Sequence, residues 1–122
     1  MKLPNIFAKE VVPEFYSAGS IIFQEGQPRD SMYVVQEGEV DLKVRDQVVE
    51  TVGLDGFFGE MSLIEHGPRS ATAIAKTDCS LVPINERRFL YMVEETPFFA
   101  ITVMRMLSVR LRRQNALIQP AS

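Results

Sequence analysis

Glu60 and Arg69 stand nine residues apart in a stretch rich in glycine and small side chains. Residues 56–75 read Gly-Phe-Phe-Gly-Glu-Met-Ser-Leu-Ile-Glu-His-Gly-Pro-Arg-Ser-Ala-Thr-Ala-Ile-Ala. A glycine-flanked turn leads into a short helical start at Gly59 and Glu60, and the small residues after Arg69 read as a strand. The first turn of a helix carries backbone N–H groups without intrahelical partners, so it suits an anion. A guanidinium adds matching charge through a planar fork of donors. One carboxylate, one guanidinium and a rim of N–H groups suit a sugar joined to a phosphate. The candidate set is Phe58, Gly59, Glu60, Met61, Ser62, Arg69, Ser70 and Ala71. Gly59 lets the backbone come close, residues 59–62 supply the helical turn, and Ser70 adds a hydroxyl.

Other chemistries find little to work with. The single histidine, His66, sits beside Gly67-Pro68 and reads as a solvated loop residue. A metal-dependent β-roll enzyme needs several histidines and a carboxylate. Ser62 and Ser70 have no histidine–acid pair arranged to activate them. Cys79 is the only cysteine, which excludes an internal disulfide and a multi-cysteine metal site. It reads as a small packing residue at a strand start. The sequence therefore predicts a binding protein without cofactor or metal, not an enzyme.

The 122 residues suit one domain, with 46% apolar and 24% charged residues. Short apolar runs at Ile21–Phe23, 32–35, Val40–Val44, 48–52 and 71–75 are broken by turn residues. Val40–Val44 alternates with period two, as a half-buried strand does. From residue 85 the pattern becomes helical. Asn85 is a good N-cap for a short helix, and Thr96-Pro97 starts a longer one reaching about residue 117. Ile101, Met104, Leu107 and Leu111 fall on one face of it, and Phe99, Val103, Met106 and Val109 widen the stripe. Such a helix needs cover on more than one side, either from the β-domain or from a dimer seam or partner. Strands first and helices last is an α+β order.

The segment at 56–75 closely resembles the phosphate-binding cassette of cyclic-nucleotide-binding domains, as in the catabolite activator family and regulatory subunits of cyclic-AMP-dependent protein kinase. Residues 18–26 and 32–40 resemble that family's framing strands and turns. The resemblance implies an antiparallel β-roll over about 15–84, a cassette helix inserted between strands, and two C-terminal helices over about 85–118, as one domain spanning 1–122. It implies that Glu60 meets a ribose 2′-hydroxyl and Arg69 a cyclic phosphate. Cyclic AMP is the default ligand by family frequency, and cyclic GMP stays open because Ser70 can bond a guanine edge. Arg112, Arg113, Gln114 and Asn115 are the candidate lid over the purine. Residues 6–16, interrupted by Pro13, offer less helix before the first strand than the family carries.

The expected function is a regulatory sensor that moves its helices, presenting or hiding Phe98, Phe99, Met104 and Met106 to an unidentified protein partner or a second copy. Two other readings stand: a ligand-free interaction module of the same fold, and an N-terminal fragment of a catabolite-activator-like regulator. No helix-turn-helix follows the long helix in these residues, so no DNA-binding domain is expected in this chain. No run reaches membrane-spanning length and the N-terminus lacks a signal-peptide stretch, so the cytoplasm is the expected location. Residues 96–122 carry four arginines and no acid against a net charge of −3, which leaves −7 for the rest. That charge suits a solvated helix end or an acidic partner.

Overall fold

The computed structural model describes residues 12–28, 31–65 and 67–118; the side chains of Ser62, Gln114, Leu117 and Ile118 also lie outside the description. His66 and the segment before residue 12 are therefore outside the described residues. Eight strands run in the order β1 (Glu14–Tyr16), β2 (Ile21–Phe23), β3 (Ser31–Glu37), β4 (Val40–Val44), β5 (Gln47–Val52), β6 (Phe57–Phe58), β7 (Thr72–Ala75) and β8 (Cys79–Asn85). The helix α1 (Met61–Ile64) lies between β6 and β7, and α2 (Glu86–Glu95) and α3 (Pro97–Ile118) close the described chain. The strands form two antiparallel four-stranded sheets, in the orders β1-β8-β3-β6 and β2-β7-β4-β5. The α+β β-roll with an inserted cassette helix and two C-terminal helices is thus the observed architecture.

The first sheet is a middle layer with two buried faces. Tyr33, Val35, Phe58, Cys79 and Leu81 point into the core between the sheets, with Phe23, Val40, Leu42, Val52, Ala73 and Ala75. Met32, Val34, Phe57, Val82 and Ile84 point the other way and pack on Met92, Phe99 and Val103 of the helices. Alternation by two sends neighbouring residues into different cores. A strand covered on both sides reads as an unbroken apolar run, and residues 32–35 do. The second sheet has one wet face, so Val40 and Leu42 are buried while Asp41 and Lys43 are not.

Two strands carry weak sequence signals, although β8 starts at Cys79 as expected. β8 contains Pro83, which argues against a central strand. It is tolerated because β1 stops short: its register ends at Glu14 opposite Leu81, so on that side Pro83 has no neighbouring strand. β6 is only two residues long, yet Phe57 and Phe58 each fill one of the two cores. Cys79 packs in the inter-sheet core, and burial, then the charge of Asp78, pushes its thiol pKa up. A thiol held protonated there is a poor nucleophile.

The helices begin where expected. The Asn85 side chain accepts from Arg88 N at 2.8 Å, capping α2. On α3 the expected single stripe divides. Phe99 and Val103 are fully buried against the middle sheet, and Met106 and Leu107 are half-buried. Ile101, Met104 and Leu111 face away from it and are exposed. Phe99, one of the residues the helix was expected to present or hide, is hidden in this structure. The reason is period: Phe99, Val103, Met106 and Leu107 lie on one side of the cylinder, and Ile101, Met104 and Leu111 on another.

β4 and β5 form a hairpin whose turn residues, Arg45 and Asp46, both have positive φ, at 52° and 65°. That is a type I′ turn, which favours Asn-Gly. Replacing Arg45 by Asn and Asp46 by Gly together should raise stability by about 1 kcal/mol, a few degrees in melting midpoint. A lower midpoint on thermal unfolding contradicts this assignment of the turn.

Candidate functional site

Arg69 arrives from the turn before β7, fixed by its own backbone. Its N–H donates to Gln27 O at 2.9 Å, and its carbonyl accepts from Gly26 N at 2.8 Å. Its side chain is driven inward, leaving the residue 4% exposed. The guanidinium carbon lies 3.9 Å from the centroid of Phe23, and Nη1 donates to Gly59 O over a long 3.4 Å. A desolvated cation over an aromatic face is worth about 2 kcal/mol, which offsets part of the burial cost. Phe23 is in turn packed on Phe58 and Tyr33, at centroid distances of 5.9 and 6.2 Å.

Gly59 makes this approach sterically possible. It has φ +79°, and a Cβ built there would stand 2.8 Å from Arg69 Nη1. The chain then turns directly into α1. Leu63 and Ile64 donate back to Glu60 O at 2.9 and 3.2 Å, and Glu65 to Met61 O at 2.8 Å. The N–H groups of Glu60, Met61 and Ser62 precede this ladder, so they have no intrahelical acceptor.

Glu60 is 5% exposed. Its Oε1 accepts from Arg110 Nη1 at 2.5 Å. Arg110 belongs to α3, fifty positions further along the chain. The same guanidinium donates through Nε to Glu50 Oε2 of β5 at 2.6 Å and through Nη2 to the carbonyl of Phe57. One arginine therefore ties α3 to β5, to β6 and to the residue that opens α1.

These groups surround a cavity of about 410 Å³, within the ~300–1,000 Å³ usual for small-molecule sites. Gly59, Glu60, Met61, Arg69, Ser70 and Ala71 of the expected set line it. Phe58 does not: its ring is wholly buried in the core, where it supports Phe23. The side chain of Ser62 is outside the described residues. The remaining wall is apolar, from Phe23, Leu42, Val44 and Val49 on the sheets and Leu107 and Leu111 on α3. Of the expected lid, Arg112, Arg113 and Asn115 are not among the residues that line this cavity, and the side chain of Gln114 lies outside the described residues. Arg113 lines a separate groove beside β5 and Arg112 is exposed, whereas Leu107, Arg110 and Leu111 face the cavity. Spacings of three and four put those three on one helical face. Another cleft of about 310 Å³ holds Glu37 and Asp78, with no cation among the described residues that line it.

The sequence reading missed Arg110, Glu50 and Phe23. A lone arginine in an arginine-rich helix end carries no local mark, and neither does a glutamate in a hairpin strand. The usable signal for Phe23 was its place at the end of an apolar run leading into Gly26.

The chain belongs to the cyclic nucleotide-binding domain family, whose model matches residues 13–96. Over 91 residues it is 37% identical to a cyclic nucleotide-gated potassium channel of Rhizobium etli, covering 75% of this chain and 25% of the channel. Over 112 residues it is 28% identical to the CRP-like cAMP-activated global transcriptional regulator of Mycobacterium tuberculosis, covering 88% of this chain and 50% of the regulator. The chain thus spans a quarter to a half of the length of these curated relatives. It is also similar to a solved structure from a cyclic-GMP-dependent signalling pathway that regulates bacterial phytopathogenesis, with TM-score 0.75 and 27% identity, covering 91% of this chain and 96% of that one. Among the described residues no helix is long and apolar enough to cross a membrane.

Adding a methyl group at Gly59 both clashes with Arg69 and forces an L-residue to positive φ. Gly59→Ala should cost about 1–3 kcal/mol in denaturant unfolding. Gly67→Ala, where nothing stands within 4 Å of the added atom, should be nearly neutral. Equal effects at the two positions would contradict the close packing of Arg69 under Gly59.

Proposed function

We propose that this chain is a cyclic-nucleotide sensor that binds a cyclic phosphate at Arg69 and the N–H groups of residues 60–62, which have no intrahelical acceptor, and a ribose 2′-hydroxyl at Glu60. The observation that carries this reading is the placement of two almost fully buried, oppositely charged side chains on one small cavity. Burying an ion costs several kcal/mol, so a fold that keeps two such ions at a cavity is built for a ligand that uses them. The rim at Ser70 and Ala71 completes the anion's surroundings. The apolar wall of Leu42, Val44, Val49, Leu107 and Leu111 suits the flat faces of a purine.

Cyclic AMP is the ligand we favour, because the mycobacterial regulator to which this chain is similar is cAMP-activated. Cyclic GMP is the alternative, on the strength of Ser70 and of the structure from the cyclic-GMP-dependent pathway. The domain acts by binding and not by catalysis; its named relatives are a channel and a transcriptional regulator. The proposed mechanism is a population shift. Ligand at Glu60 and Arg69 changes the packing of α3, whose Phe98 and Met104 are each 60% exposed. With Ile101 they form the face that meets a second copy or a protein partner. The assigned location is the cytoplasm, consistent with a chain that has one cysteine. Residues 1–122 are read as one sensor unit.

Thermal unfolding with millimolar cyclic AMP or cyclic GMP tests this reading. A ligand that binds only the native state must raise the midpoint once it exceeds Kd. Hydrogen bonds to charged groups are worth roughly 1.5–3 kcal/mol each, so Arg69→Ala should weaken binding at least tenfold. Arg69→Lys keeps the charge but loses the fork, and should also weaken it. No shift with either nucleotide in the folded wild-type chain contradicts the sensor reading and leaves a ligand-free interaction module.

A further inference from the structure

Glu50 lies outside the cavity wall, yet its carboxylate is buried and spent on Arg110. The side chains of Glu50, Glu60 and Arg110 are 9%, 7% and 11% exposed. A guanidinium has five N–H donors in one plane. Three of its nitrogens are each met by an acceptor on a different element: Nε by Glu50 Oε2, Nη1 by Glu60 Oε1 and Nη2 by the carbonyl of Phe57. The guanidinium carbon also sits 5.1 Å from the centroid of Phe57. Three fixed points define a plane, so the direction in which Nη1 holds Glu60 depends on where Glu50 holds Nε.

The strand is shaped to bring Glu50 there. The β4–β5 register pairs Leu42 with Glu50 but Lys43 with Val48, so Val49 is an extra residue in a bulge. Bulges re-aim the side chains beside them. Val49 packs on the inter-sheet core while its neighbour Glu50 reaches α3. Charge points to the same role as geometry. Two carboxylates share one guanidinium, so the cluster carries −1 and Glu60 does not have the cation to itself. A carboxylate that shares its partner cation is less fully neutralised by it, and so is the stronger acceptor for a hydroxyl.

We infer that Glu50 is a positioning residue for ligand selectivity: by holding Arg110, it orients Glu60 and keeps it a strong acceptor for the ribose 2′-hydroxyl. This rests on the sensor reading above, with Glu60 as the ribose contact. Without Glu50, Arg110 turns on its remaining contacts and pairs with Glu60 alone, and discrimination between ribose and deoxyribose falls. Overall affinity is a separate quantity, because removing a negative charge near an anionic ligand favours both nucleotides alike. The ratio of the two affinities isolates the effect.

The test is calorimetric titration of the wild-type chain, Glu50→Gln and Arg110→Lys with cyclic AMP and with 2′-deoxy cyclic AMP. The wild-type chain should prefer the ribose ligand, and Glu50→Gln should lower that preference about threefold or more. Arg110→Lys, which keeps a charge on α3 but has no Nε donor, should lower it similarly, and the double variant should fall no further. This second variant decides the matter if Glu50→Gln does not fold. An unchanged ratio, with both affinities moving in parallel, reduces Glu50 to a structural contact and overturns the inference, as does an additive fall in the double variant. A wild-type chain that binds neither nucleotide overturns the sensor reading itself.

Discussion

Arg110 is the point through which the helical and β parts of this protein share one electrostatic site. A buried guanidinium is costly unless its donors are met, and here three nitrogens are met by three elements. The arrangement constrains everything around it. α3 must cross the sheet edge with Arg110 turned inward. β5 must bulge so that Glu50 can reach it. The chain must turn at Gly59 so that Glu60 arrives from the other side. Removing any one of these leaves a buried charge without its partner, which costs more than the pair contributes when intact.

A second buried cation, Arg69, is solved differently. It has an aromatic floor in Phe23, a carbonyl from Gly59 and a backbone pinned to the β2–β3 turn. The two arginines lie on one cavity but answer to different parts of the fold. Arg69 belongs to the β-roll alone. Arg110 belongs to a helix that also packs on the outer face of the middle sheet through Phe99 and Val103. A ligand bridging Arg69 and Glu60 would touch both systems at once, which gives the site a physical route to α3.

How much of this was legible in the sequence follows from separation along the chain. Glu60, Gly59 and Arg69 lie within ten positions, and the string that holds them, with Pro68 and Ser70-Ala71, carried the resemblance to the cassette. Strands with one wet face, such as Val40–Val44, showed their period. The middle-sheet strands did not, because residues such as Met32 and Tyr33 serve different cores and are all apolar. β8 showed its start at Cys79, but Pro83 argued against its continuation, and only the shortness of β1 excuses that proline. On α3 the apolar residues nearly encircle the first turns, so periodicity could not say which face was covered. Glu50 and Arg110 are sixty positions apart, and their pairing depends on a bulge that no local pattern announces.

In the proposed mechanism, ligand at the cassette is felt by α3 through Arg110. Amide hydrogen exchange of the folded chain, with and without saturating cyclic AMP, tests it most directly. Altered protection is expected both in the cassette around residues 59–71 and in α3 around residues 107–111, with the α3 change lost in Arg110→Lys. Protection confined to the cassette, with α3 exchanging identically in both states, would contradict it.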